Sequence, residues 1–210
     1  THAFDSFEKI GGSCIYAAGY RLDDSGEESA LMDEALIAAS KSDTAIALVG
    51  LPEPYESEAF DRTDIGLPDS HNRLVEKIAA VNPNVVVVIY AGAPVAMPWI
   101  DKVKAVLMAY LPGQEGAAAI PSLLYGQCVP CGKIAETFPL RLSDTPCYKH
   151  FGQRLVSEYR ESIFVGYRYY DTSGTKVLFP FGHGLSYTQF QYETIELSKS
   201  NLSSGDTLQV

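Results

Sequence analysis

Three apolar runs constrain this chain more than anything else in it: TAIALVG at 44–50, VVVVIYA at 85–91 and KAVLMAY at 104–110. Each is continuous rather than alternating. A strand with one face in water alternates, whereas a parallel strand covered on both faces does not. Between and around the runs lie stretches of helical period. ESALMDEALIAASKSD (28–43) carries Leu31, Ala35 and Ala38, with Leu36 and Ala39 alongside, and PDSHNRLVEKIAAVN (68–82) carries Leu74, Ile78 and Val81 behind Asp69 or Ser70 as N-cap. A third helix is expected over GAAAIPSLLYG (116–126), bent or divided at Pro121. Strand and helix alternate, so the expected fold class is α/β, a three-layer αβα sandwich around a mostly parallel sheet.

Beyond about residue 126 the pattern changes. KIAETFP (133–139) reads as an edge strand, and a polar, aromatic stretch rich in Tyr, Arg and Gly follows. The last segment, QFQYETIELSKSNLSSGDTLQV, alternates like an exposed strand, a turn and a second strand. The expected division is therefore a sandwich domain over 1–190 and the start of a further β-domain over 191–210.

Composition excludes several partners. The formal charge of −10, from 16 Lys and Arg against 26 Asp and Glu, repels nucleic-acid phosphates and anionic lipid, and no basic patch offsets it. No apolar run reaches the ~18 residues of a membrane helix, and no N-terminal stretch resembles a signal peptide. Localisation stays open. Four cysteines are too few for a disulfide scaffold. Cys128 and Cys131 form a lone CxxC without a second pair or a histidine pair at zinc spacing, which reads as spare thiols in a turn. His2, His71, His150 and His183 show no ligand spacing, and no metal or other cofactor is expected.

Ligands on parallel α/β sheets collect at the carboxyl ends of the strands. Three loops leave those ends: GLPEPYESEAFDR, AGAPVAMPW and LPGQEG. Nucleotide chemistry is poorly served, because no GxGxxG follows a strand. GQCVPCGKI has five residues between its glycines where a P-loop has four, and Ile134 where Ser or Thr is needed. Nucleophilic hydrolysis fares no better, with no GxSxG and no evident partner for Cys147. Carboxylate acid/base chemistry fits the first loop. Glu56 and Glu58 stand two apart, and like charges raise one member's pKa. Tyr55 and Phe60 are placed to exclude water, and Arg62 to pair with Asp61. From composition alone an ordinary solvated loop remains the other reading.

VGLPEPYESEAFDRTDIGLP resembles the loop of glycoside hydrolase family 3, the β-glucosidase family, in which a Glu–Gly–aromatic–Asp–Arg run bears the catalytic acid/base. The stretch from Ala80 to Leu107, then LPGQEG, FVGYRYYD and LFPFGHGLSYTQF, is similar to later motifs of that family in order and spacing. The resemblance covers about residues 10 to 197. It implies the α/β sandwich domain of those enzymes, truncated at its N-terminal part, followed by the first strands of a fibronectin-type-III-like domain. It places the general acid/base on Glu58, with Glu56 as runner-up, and gives Asp61 and Arg62 a loop-structuring role. It also implies a missing (β/α)8 barrel of the same parent chain as partner, holding an aspartate nucleophile, and a β-linked glucoside or oligosaccharide as substrate. A homo-oligomer is a further partner to test. Two departures stand out: Ala59 where glycine is usual, and a proline in AAAIPS. The sugar is not readable here; glucose is the family expectation, and xylose or arabinose remain open. The alternatives are a non-catalytic α/β module that binds a small ligand, or a structural module supporting its neighbour.

Overall fold

The computed structural model describes residues 3–11, 13–21, 29–59, 61–152 and 155–210. Three parallel strands, β1 (Ala45–Gly50), β2 (Val85–Tyr90) and β3 (Ala105–Met108), pair in the order β1-β2-β3, with Ala45 opposite Val85 and Val86 opposite Ala105. Helices cover both faces. On one face, α2 (Ser29–Ser40) and α3 (Asp69–Val81) bury Met32, Ala35, Ala39, Leu74, Val75 and Ile78 against Ala47, Val49, Val85, Val87 and Ile89. On the other, α1 (Ala3–Gly11) and α4 (Gly116–Leu124) pack together, with Phe7 and Ile120 against Val88, Ile46, Leu48 and Leu107. Alternate residues of β2 therefore enter opposite layers, which is why its sequence is apolar throughout.

Several expectations shift in detail. The buried stripe of α2 runs through Met32 rather than Leu31, and Val81 of α3 is exposed. Helix α3 is entered from Pro68 without a side-chain cap; neither Asp69 nor Ser70 caps it. Proline fixes φ near the helical value, so it serves at a helix entry without a side-chain bond. Helix α4 continues through Pro121. Helix α1 is not among the helices expected from periodicity.

The edge strand expected over 133–139 shortens to β4 (Phe138–Pro139), antiparallel to β5 (Val177–Phe179) with a register irregularity at the proline. Its earlier part runs beside 182–184 through two backbone bonds, Ile134 N–H to His183 O and Gly182 N–H to Ile134 O, both 2.9 Å. Helix α5 (Tyr167–Ser173) precedes β5, and of its aromatics Tyr170 is buried. The strands expected over 189–210 are not formed. That segment folds back once, with Ser198 N–H bonded to Gln209 O at 3.0 Å and Lys199 paired with Asp206 at 2.7 Å. Ile195 and Leu197 stay exposed, and a hairpin with no third strand or helix against it is marginal at best.

Candidate active site

Because β1, β2 and β3 run in parallel, the loops that follow them leave the same edge of the sheet. The structure stitches them together at Gly92, in the loop after β2. The Gly92 N–H donates to Glu56 Oε2 of the first loop at 2.7 Å. A Cβ added at Gly92 would stand 3.1 Å from Glu56 Oε1 and 3.3 Å from Leu111 Cδ1 of the third loop. Glycine is thus what lets the three loops approach. Two further bonds tie the first loop to the second: Ala96 N–H to Ile65 O at 2.7 Å, and the Arg62 guanidinium to Pro94 O at 3.4 Å.

The first loop leaves β1 through Leu51, whose N–H donates to Tyr90 O at 2.9 Å. It then turns on Pro52, whose carbonyl accepts from Tyr55 at 2.8 Å and from Glu56 at 3.2 Å. Glu56 is half-buried, while Glu58 and Ala59 are exposed at the tip. Among the described residues the Glu58 carboxylate makes no hydrogen bond or ion pair; Ser57 Oγ reaches only its backbone carbonyl, at 3.4 Å. Ala59 has φ 73°, in the left-handed region that favours glycine. The residue that departs from the family pattern therefore keeps the backbone conformation a glycine would serve.

The sequence-predicted residues divide. Glu56 and Glu58 lie on one loop as expected, but only Glu56 is anchored. The expected Asp61–Arg62 pair is absent: Arg62 turns to the carbonyls of Pro94 and Gly66, at 3.4 and 3.5 Å, and Asp61 is exposed. A solvated ion pair contributes little, so the guanidinium loses little by turning to two part-buried carbonyls. Tyr55 is half-buried, and Phe60 lies outside the described residues. Glu115 occupies the N-cap position of α4 without a side-chain bond; its carbonyl accepts from Ala118 and Ala119, both at 3.0 Å.

One carboxylate at this edge was not visible in the sequence. Glu136, before β4, is half-buried, and burial pushes its carboxyl above the usual range, with the negative charge of Glu56 adding to the effect. Tyr110, at the end of the β3 run, is likewise pushed up by burial and then by Glu136. Only the fold brings residues 56, 92, 110 and 136 together, so no local pattern announces Glu136.

Two cavities lie elsewhere: one of about 90 Å³ that includes Thr137, Tyr170 and Phe181, and an open groove of about 410 Å³ that includes His150, Arg160 and Tyr169. Neither is lined by a residue of the three loops. Among the described residues no cluster of His, Cys, Asp and Glu is arranged to hold a metal ion.

A parallel αβα sandwich that converges three loops on a carboxylate edge is an α/β domain whose candidate chemistry is acidic. Comparison makes the class particular. The profile of the glycosyl hydrolase family 3 C-terminal domain matches residues 6–187, and the chain belongs to that family. It is 50% identical over 211 aligned residues to thermostable β-glucosidase B of Acetivibrio thermocellus, covering 99% of this chain and 28% of the relative. It is 37% identical to the exo-α-(1→6)-L-arabinopyranosidase of Bifidobacterium longum, covering 98% of this chain and 27% of the relative. The family 3 β-glucosidase structure from Bifidobacterium adolescentis superimposes with a TM-score of 0.89 at 35% identity, over 96% of this chain and 30% of that one. The chain thus spans less than a third of these relatives.

Proposed function

We propose that this domain supplies the general acid/base of a retaining β-glycosidase to a cleft shared with a (β/α)8 barrel of the same parent chain. Glu58 is the acid/base, and the substrate is a β-linked glucoside or oligosaccharide. The supporting observation is the contrast between two neighbouring glutamates: Glu56 is committed to the Gly92 amide, while Glu58 stands exposed at the loop tip and, among the described residues, its carboxylate is unbonded. A group that hands a proton to a departing oxygen has to be free to reach it.

In the retaining route one carboxylate attacks the anomeric carbon while the other protonates the leaving oxygen, the two lying about 5–5.5 Å apart. Glu58 then returns as base to activate the water that releases the sugar. The loop is an open rim rather than a cavity, so the opposite wall, the nucleophile and most sugar contacts belong to the barrel. The relatives carry both β-glucosidase and arabinopyranosidase names, in keeping with a sugar chosen outside this domain.

The test uses the full-length parent. Glu58→Gln is expected to lose about 100-fold or more on substrates with poor leaving groups and far less on activated aryl glycosides, which need little protonation. Azide is expected to restore turnover in Glu58→Ala and to yield the glycosyl azide. Equal losses on both substrate types, or no loss, overturn the assignment.

A further inference from the structure

We infer that Glu56 is a positioning residue that holds the Glu58 loop in its working place by gripping the Gly92 amide. The inference rests on the reading of Glu58 as the acid/base.

Among the described residues the Glu56 side chain makes one hydrogen bond, to the Gly92 amide. Its Oε2 takes the Gly92 N–H across 36 positions of sequence at 2.7 Å, the short distance of a charge-assisted bond. Its own N–H is held by Pro52 O at 3.2 Å. Glu56 is thus fixed at both ends, two residues before Glu58, and Ala59 immediately afterwards turns through the left-handed region. Between Gly92 and Ala59, then, the place of Glu58 is set by one anchored carboxylate and one constrained backbone turn. Leu111 closes on the same glycine, so the anchor sits where all three loops meet. The negative charge of Glu56 also acts on the half-buried Glu136, adding to the upward push that burial gives that carboxyl.

What the Gly92 amide needs is an acceptor oxygen. An amide side chain provides one. A methyl provides none. The distinction separates this role from acid/base catalysis, where a proton must be given up and an amide fails.

Full-length Glu56→Ala is expected to lose about 100-fold in kcat/KM on alkyl glucosides, since a misplacement of about 1 Å costs that much. It should keep most of its rate on 2,4-dinitrophenyl glucoside. The ratio of the two rates does not depend on how much enzyme is folded, so a merely destabilised protein leaves it unchanged. Glu56→Gln should recover most of the loss. Azide should give no glycosyl azide with Glu56→Ala, because the Glu58 carboxylate still repels the anion. Gly92→Ala, whose methyl presses on the same carboxylate, should shift the ratio in the same direction by a smaller factor. Equal loss on both substrates, azide rescue of Glu56→Ala, or a Gln variant as impaired as Ala would each overturn the inference. If Glu58→Gln is itself harmless, the acid/base reading fails instead, and the two failures are distinct.

Discussion

At the scale of single residues, the loop edge holds two side chains that work against the fold. Ala59 at φ 73° has a Cβ where the left-handed backbone disfavours one, at about 1–2 kcal/mol. Glycine removes that penalty and gives back about 0.5–1 kcal/mol in unfolded-chain entropy. Ala59→Gly should therefore stabilise the domain by up to about 1 kcal/mol, raising Tm by about 1–4 °C in a thermal melt. An unchanged or lowered Tm would mean the loop carries no strain there. Glu136 gives a pH-dependent case. Its carboxyl titrates higher in the fold than its ordinary value of 4.5, chiefly through burial. The favoured form is the protonated one, so its contribution is full below about 4.5 and is lost as pH rises through the higher folded value. Glu136→Gln should accordingly stabilise the domain at pH 7 and give no gain near pH 4. Melts at the two values check the sign, and a gain confined to pH 4 would reverse it.

At the scale of elements, one buried amide joins both helices of one layer to the sheet. Asn82 ends α3; its Nδ2 donates to Ala39 O and Ser42 O, both at 2.8 Å, and its Oδ1 accepts the Asn84 N–H at 2.7 Å. Asn84 O in turn accepts the Ala45 N–H at 3.0 Å, where β1 begins. Asn82→Ala leaves the Ser42 carbonyl and the Asn84 amide without partners and the Ala39 carbonyl with only the Ser42 N–H at 3.3 Å, and about 2–4 kcal/mol of stability should go with them, read as a lower denaturant midpoint. A loss below about 0.5 kcal/mol would show that water replaces the side chain. None of this is legible beforehand, because an asparagine after a helix looks like any other turn residue. What is legible follows from burial. The three central strands stand out because Val85, Val87, Val88 and Ile89 are all buried, on both faces of one strand. Residues 133–139 are read too long, since only Phe138 and Pro139 find a ladder partner in β5. The proposal for Glu58 can be made from the sequence because its motif is local. The grip of Glu56 on Gly92 is not legible there, because its two ends are joined only by the parallel pairing of β1 and β2.

At the scale of the whole molecule, the exposed apolar side chains and the carboxylate edge each lead to an expectation. Exposed apolar side chains crowd 151–165 and 181–197, with Leu155, Tyr159 and Tyr192 at 107, 92 and 96% exposure. Surface of this kind favours association, so sedimentation of the isolated chain should show self-association that rises with concentration. The carboxylate edge leads to a stricter expectation, resting on the proposed function: the 210-residue chain by itself catalyses nothing. Retaining hydrolysis needs a nucleophile and an acid on opposite sides of one glycosidic bond, about 5–5.5 Å apart. Glu58 is exposed, Glu56 is committed to the Gly92 amide, and Glu136 is half-buried and favoured in its protonated form, which does not suit a nucleophile. Without the opposing carboxylate the covalent route closes, and without an opposing wall little binding energy is left to position the substrate. Each loss typically costs several powers of ten in rate. The purified chain should release no 4-nitrophenol from aryl β-glucosides above a buffer blank. Mixing it with separately expressed barrel should restore release only if the two domains dock. Turnover by the chain alone that survives repurification and disappears in Glu58→Gln would show that the nucleophile lies on this domain after all.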